Sequence, residues 1–302
     1  MRNYIFILPI FFGFPLSEEN TSYRNINYGD YLAITYGENQ GEIDWDNAGN
    51  YLAFVSSENH INKVFCLNLN KLPINSAGKG FYSADYLNDV MSNKKIYIPL
   101  FCSQDTSFYS PKWNATGNNI LSIGKIGDKN EIFITDKTSS FLKGTKIKDV
   151  EAAHWKNDTI FYVVYKTNPN ELFETTLLNN KNKKIAETKF PIIGISKQDQ
   201  TLLLTSKGGV TEFSIKNKKL RWFQLPIKGK TVWQLGKLNF VGLNENGNAQ
   251  VLDINNANTY PFCFGDNNGN PSISRDKKFV AFYSESFKGI IIKRIDKKFL
   301  NK

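Results

Sequence analysis

Histidine is nearly absent from this 302-residue chain, with only His60 and His154, and cysteine stops at Cys66, Cys102 and Cys263. With no C-x-x-C pair and so few imidazoles, a zinc site has no ligand set to draw on, and neither metal nor cofactor is expected. Three cysteines cannot all pair within one chain. Cys66 sits in an apolar run and reads as a small core residue, whereas export would allow a Cys66–Cys102 bridge that spacing alone does not decide. No G-x-S-x-G elbow occurs, so a Ser-His-Asp triad would rest on one of the two histidines. Gly208-Gly209 and Gly247 join strands and precede no helix, so no phosphate cradle is present. Also missing are period-3.6 stretches ten residues long and, beyond the N-terminus, any apolar run long enough to cross a bilayer as a helix.

The N-terminus does carry a short apolar run. Arg2 followed by Ile5 to Leu16, broken by Pro9, Gly13 and Pro15, predicts an export signal over residues 1–17, cut after Ser17. The run is too short to span a bilayer, which takes about 20 residues.

What the chain has in quantity is a repeated phrase. Asp44-Trp45-Asp46-Asn47-Ala48-Gly49-Asn50-Tyr51-Leu52-Ala53-Phe54 returns as Lys112-Trp113-Asn114-Ala115-Thr116-Gly117-Asn118-Asn119-Ile120-Leu121-Ser122, and in worn form as His154-Trp155-Lys156-Asn157-Asp158-Thr159-Ile160-Phe161-Tyr162. Each copy is a strand ending in a large apolar residue, a polar turn and a second strand of β-branched and aromatic residues. Copies without tryptophan start at Ile195, Leu235 and Pro271, with anchors at Ile195, Leu235 and Ile273. After a long first step, which needs an insertion of about 25 residues, the anchors recur near every 40, the length of one four-stranded propeller blade. A third strand follows each pair, for example Glu131–Thr135 and Gly289–Ile295. The count predicts an all-β, six-bladed β-propeller over residues 18–302. Residues 76–95 form the insertion, with a possible helical turn at Ala84–Met91. The last blade lacks a fourth strand, and Tyr31–Tyr36 has no blade of its own. Pairing the two closes the ring and removes exposed sheet edges.

Pro271-Ser272-Ile273-Ser274-Arg275-Asp276-Lys277-Lys278-Phe279-Val280-Ala281-Phe282 resembles the repeat of TolB-like propellers, which runs P-x-W-S-P-D-G-K-x-I-A-F. Trp45–Phe54 and Pro111–Ser122 are similar, with Asn-Ala-Gly and Ala-Thr-Gly in place of Pro-Asp-Gly. The resemblance runs from about residue 27 to the end and covers the propeller part only, without the family's N-terminal α/β domain. It implies a periplasmic or surface binding module of a Gram-negative bacterium, one that takes a protein or peptide at the mouth of the central channel.

The innermost strands end in the anchors, so Glu42, Asp44, Lys112, Glu151, His154, Gln234 and Asn270 are expected at the channel axis or its mouth. Asp44 with Glu151 would be the pair for a glycan hydrolase or lyase; the expectation is nevertheless a non-catalytic monomer. The formal charge is +10. Lys181, Lys183, Lys184, Lys216, Lys218 and Lys219 follow third strands, which places them on one rim. Such a rim suits an anionic envelope surface. No aromatic–basic motif points to nucleic acid, and none is expected as partner.

Overall fold

The Trp-Asx phrase folds as its chemistry dictates. Asp46 Oδ1 accepts the main-chain N–H groups of Asn50 and Tyr51 at 2.6 and 2.8 Å, and Asn114 Oδ1 does the same for Asn118 and Asn119 at 3.0 and 3.1 Å. In the last copy Ser274 Oγ accepts from Phe279 at 3.1 Å. A short polar side chain after the anchor thus satisfies the turn that follows it. Three positions later the turn enters the left-handed region, at Gly49 (φ 67°), Gly117 (φ 70°) and Lys277 (φ 57°). Glycine adopts that conformation without strain, and Lys277 adopts it without that freedom.

The structure is a computed structural model that describes residues 31–35, 37, 40–72, 84–138, 141–254, 258–262, 269–285 and 287–300. The expected export signal, Cys263 and residues 76–83 of the insertion lie outside the described residues. Within them, β1 (Tyr31–Ala33) precedes six antiparallel sheets of four strands each. Blade 1 is β2 (Gln40–Trp45), β3 (Tyr51–Glu58), β4 (Ile61–Asn68) and β5 (Tyr97–Phe101). Blade 2 is β6 (Ser107–Trp113), β7 (Asn119–Ile126), β8 (Lys129–Asp136) and β9 (Leu142–Lys148). Blade 3 is β10 (Val150–Asn157), β11 (Ile160–Tyr165), β12 (Asn168–Thr176) and β13 (Asn182–Glu187). Blade 4 is β14 (Ile192–Gln198), β15 (Thr201–Ser206), β16 (Gly209–Ser214) and β17 (Leu220–Gln224). Blade 5 is β18 (Trp233–Gln234), β19 (Asn239–Leu243), β20 (Ala249–Asp253) and β21 (Asn258–Pro261). Blade 6 is β22 (Ser272–Ile273), β23 (Phe279–Ser284), β24 (Gly289–Arg294) and, as its outermost strand, β1. The fold is the six-bladed β-propeller that the repeat predicts, closed by the N-terminal strand.

Closure is specific in register. Leu32 pairs with Ile292 and Ala33 with Ile291, Ile34 N–H donates to Ile290 O at 2.9 Å, and Thr35 Oγ1 accepts from Ile290 N–H at 2.8 Å. The seam between blades 6 and 1 is packed with Leu32, Ile34, Ile43, Trp45, Phe54, Phe279 and Ile292, all nearly inaccessible. A helix, α1 (Ala84–Ser92), lies within the insertion. Its Val90 is buried in the same seam, and Leu87 packs against that cluster and the one between blades 5 and 6. α1 is therefore a buttress on the joint.

One expectation changes, and one open question closes. The fifth blade is anchored by Trp233 instead of Leu235: Trp233 pairs with Val241, and its indole donates to Pro271 O at 2.8 Å. Leu235 is buried in the turn after the strand. The reason is turn length, because the reading frame of the other copies does not fit the connection between β18 and β19. Cys66 and Cys102 are free thiols, one buried and one exposed, so no bridge joins them.

Candidate functional site

The six innermost strands run side by side along the central channel, and their two ends differ. Where the strands begin, small residues bring main chains together. A Cβ on Gly194 would lie 1.7 Å from the Lys230 carbonyl oxygen, and one on Gly269 would lie 3.2 Å from Gly41 Cα. Glu42 bridges this end: its Oε2 accepts from Ser110 N–H at 2.5 Å, and its Oε1 lies 3.8 Å from Lys230 Nζ. Asn270 Oδ1 accepts from Lys230 N–H at 2.9 Å. Glu151 belongs to the same end, because burial first, then the charges of Glu42 and Glu151, push the Tyr109 phenol up to about 12.

Where the strands finish, larger side chains hold the blades apart around a chamber of about 170 Å³. Every blade contributes. Blade 1 gives Asp44 and Trp45, blade 2 Trp113 and Ala115, and blade 3 His154 and Trp155. Blade 4 gives Lys197, Gln198 and Asp199, blade 5 Trp233, and blade 6 Ile273, Arg275 and Lys277. The chamber opens on the face that carries the turns between first and second strands. There a groove lined by Asn47, Gly49, Ser274 and Asp276 runs between the turns of blades 1 and 6.

The chamber floor is charged yet buried. Asp44 and Lys112 lie 3.7 Å apart (Oδ1 to Nζ), and each side chain is 5% exposed. Asp44 Oδ2 also accepts from Trp113 N–H at 2.8 Å. Burial outweighs both partners and pushes the Asp44 carboxyl up to about 6. The Lys112 ammonium stands 5.9 Å from the centre of the Trp233 ring, within cation–π range. His154 Nδ1 donates to the Trp155 carbonyl at 3.1 Å, which leaves Nε2 as an acceptor. Burial, then the neighbouring Lys112 charge, keeps this imidazole neutral down to about 3. On the wall between blades 4 and 5, Gln198 Nε2 donates to Gln234 O at 3.0 Å while Gln198 Oε1 accepts from Gln234 N–H at 2.8 Å.

The seven residues expected at the channel are thus divided. Asp44 and His154 line the chamber, Lys112 lies at its floor and Gln234 clamps its wall, whereas Glu42, Glu151 and Asn270 belong to the opposite end. Trp233, Gln198, Lys197 and Arg275 enter the site without having been expected there. Of the rim lysines, Lys181, Lys183 and Lys184 lie at or in β13, and Lys216, Lys218 and Lys219 lie in the β16–β17 turn. Lys184 is ion-paired to Glu171 and Glu187, at 2.5 and 2.6 Å.

No protein-family model matches the chain, and no curated protein sequence matches it. Solved structures do. TolB from Acinetobacter baumannii superposes with a TM-score of 0.51 at 10% identity, over 86% of this chain and 55% of that one. A protein of unknown function from Bacteroides thetaiotaomicron gives 0.54 at 10% identity, covering 88% and 76%. A nidogen/laminin complex structure gives 0.50 at 7% identity, covering 76% and 79%. The chain spans about half the length of that TolB structure. These likenesses establish the fold and nothing finer. Among the described residues no helix is long and apolar enough to cross a membrane, and no group of histidine, cysteine and carboxylate side chains could hold a metal ion.

Proposed function

We propose that this chain is an exported, non-catalytic binding module that takes one end or one side chain of a peptide into the tryptophan-lined chamber. The carrying observation is that all six blades converge on one small cavity with a buried polar floor, continued by a groove between two turns. A cavity of that size admits a chain end or a side chain and excludes a folded domain; the groove offers the rest of an extended peptide a path outward. The TolB-like resemblance and the export signal expected over residues 1–17 support a periplasmic or surface setting. Binding is favoured over catalysis by His154, whose ring hydrogen bond goes to a main-chain carbonyl and which stays neutral through the physiological range. A general base poised for work near pH 7 has its pKa near 7; Asp44, pushed up to about 6, is the chamber group nearest that value, but the carboxylate expected to work with it, Glu151, belongs to the opposite end.

Ala115 lines the chamber from an exposed turn, so Ala115→Trp should plug the mouth without touching the floor. On an array of random peptides the parent chain should retain a subset, and Ala115→Trp should lose it with its melting temperature unchanged. Equal retention by both proteins would remove the chamber from the function.

A second reading uses the turns on the same face of blades 3 and 4. Lys181, Lys183, Lys216, Lys218 and Lys219 have no carboxylate partner among the described residues, and the two blades are neighbours. Such a patch would hold an anionic envelope surface. Co-sedimentation with anionic vesicles at low salt that vanishes at high salt is the expected behaviour; binding indifferent to salt would exclude it.

A further inference from the structure

One buried donor at the chamber has no acceptor among the described residues. In blades 1 and 3 the anchor indole reaches the innermost strand of the preceding blade: Trp45 Nε1 donates to Ser272 O at 3.1 Å and Trp155 Nε1 to Lys112 O at 2.8 Å. Trp113 holds the equivalent place in blade 2, facing Asp44 on blade 1, yet its Nε1 is buried with no hydrogen-bond partner. The residue is 4% exposed. Beside it, the Lys112 ammonium carries three N–H donors and is paired with one anion, Asp44 Oδ1, at 3.7 Å, a single pairing that does not use all three donors. Buried donors without acceptors are rare in native proteins and mark places where something else supplies the acceptor.

The chemistry of that missing partner follows from what surrounds it. The groups are donors, one of them a full cation. Three further cations, Lys197, Arg275 and Lys277, line the walls above, against one further carboxylate there, Asp199. Asp46 already accepts from Asn50 and Tyr51 in its own turn, and Asp44 is engaged by Trp113 N–H. A cationic ligand would meet Lys112 at the floor, whereas an anionic one would complete it. We infer that the chamber floor is a subsite for a single peptide carboxylate, held by the Lys112 ammonium and the Trp113 indole N–H.

This inference rests on the peptide-binding reading above and names the group that enters first. A carboxylate offers four lone-pair positions to the waiting donors, and charge-assisted bonds of this kind are stronger than neutral ones. The carboxylate can be the chain terminus or an acidic side chain, and the assay separates these two sources.

The full chain is presented with three pools of N-acetylated random tetrapeptides: free C-terminal acids, C-terminal amides, and amides carrying one aspartate. The acids should be retained at least ten-fold better than the plain amides. Aspartyl amides retained like the acids would assign the site to a side chain; retained like the plain amides, they would assign it to the chain terminus. Trp113→Phe deletes an N–H that has no partner among the described residues, so its cost in melting temperature should be only that of the smaller ring, while the acid-to-amide ratio falls at least three-fold. Lys112→Met should bring that ratio to about one. A ratio of one in the parent chain, or one untouched by both substitutions, overturns the carboxylate subsite. If acids and amides are then retained alike and Ala115→Trp abolishes both, peptide binding in the chamber stands and only the subsite falls. Retention of no pool overturns the two together.

Discussion

At one end of the channel Gly194 and Gly269 let the main chains of neighbouring blades touch, and Glu42 reaches Lys230 across the ring. At the other end of the same strands four indoles and a buried ion pair keep the blades apart. Side-chain size follows the taper: glycines stand where the innermost strands begin and indoles where they finish. The narrow end spends its polar groups on each other, while the wide end keeps donors in reserve. On the proposed reading stability and binding fall to opposite ends, and each half of that reading can be tested.

Acid should separate the ends most strongly. His154 is neutral when folded down to about 3, below its ordinary 6.5, so its contribution is complete above 6.5 and is lost as pH falls toward 3. The size is on the order of 5 kcal/mol. Asp44 runs the other way: its folded value of about 6 lies above 3.8, so its contribution is complete below 3.8 and is lost as pH rises through 6. That amounts to roughly 3 kcal/mol. The two partly cancel in the parent chain. His154→Gln should uncover Asp44 and make the protein more stable to urea at pH 4 than at pH 7, whereas Asp44→Asn should steepen the loss in acid. If His154→Gln weakens in acid as much as the parent chain, the chamber is not the origin of the acid response.

The next largest effect belongs to the narrow end. Gly194→Ala sets a Cβ against a neighbouring main chain that cannot rotate away, and should cost about 3 kcal/mol in denaturant unfolding. The folded variant should keep the parent's tryptophan fluorescence, since the chamber lies at the other end. A smaller contrast sits within the wide end. Trp155→Phe removes the donor to Lys112 O and should cost roughly 1–2 kcal/mol more than Trp113→Phe, whose N–H is unpartnered. Smallest of all, Glu42→Gln weakens a half-exposed pair with Lys230 by about 0.5 kcal/mol, visible only as a slight shift of the urea midpoint.

The blade count and the closing strand were legible because both depend on local chemistry. An aspartate or asparagine after an anchor tryptophan, with glycine three positions on, specifies a turn wherever it occurs. Blade 5 escaped this logic: its turn carries no such aspartate, so Trp233 fell outside the frame although the residue itself was in plain view. The site was half legible for a different reason. Glu42 and Asp44 are two apart and should share a face of a regular strand. A register shift between Gly41 and Asp44, with Glu42 at φ 46°, breaks that alternation, and another between Tyr109 and Lys112 carries Ser110 at φ 52°. Position along the strand puts Glu42 nearer the narrow end, and the bulges change which face Asp44 and Lys112 present relative to the residues before them. Nothing in a one-dimensional pattern of polar and apolar residues announces them.

The ring is a hoop with a clasp, and the clasp is a strand of three residues. β1 contributes only Tyr31–Ala33, so opening there, once α1 lifts from the seam, is the least costly way to breach the circle. The chamber spans that same joint, with Asp44 and Trp45 on one side and Ile273 and Arg275 on the other. A peptide seated in it would act as a rivet. Occupancy should therefore be recorded as time, in a slower rate of ring opening and a longer survival against protease.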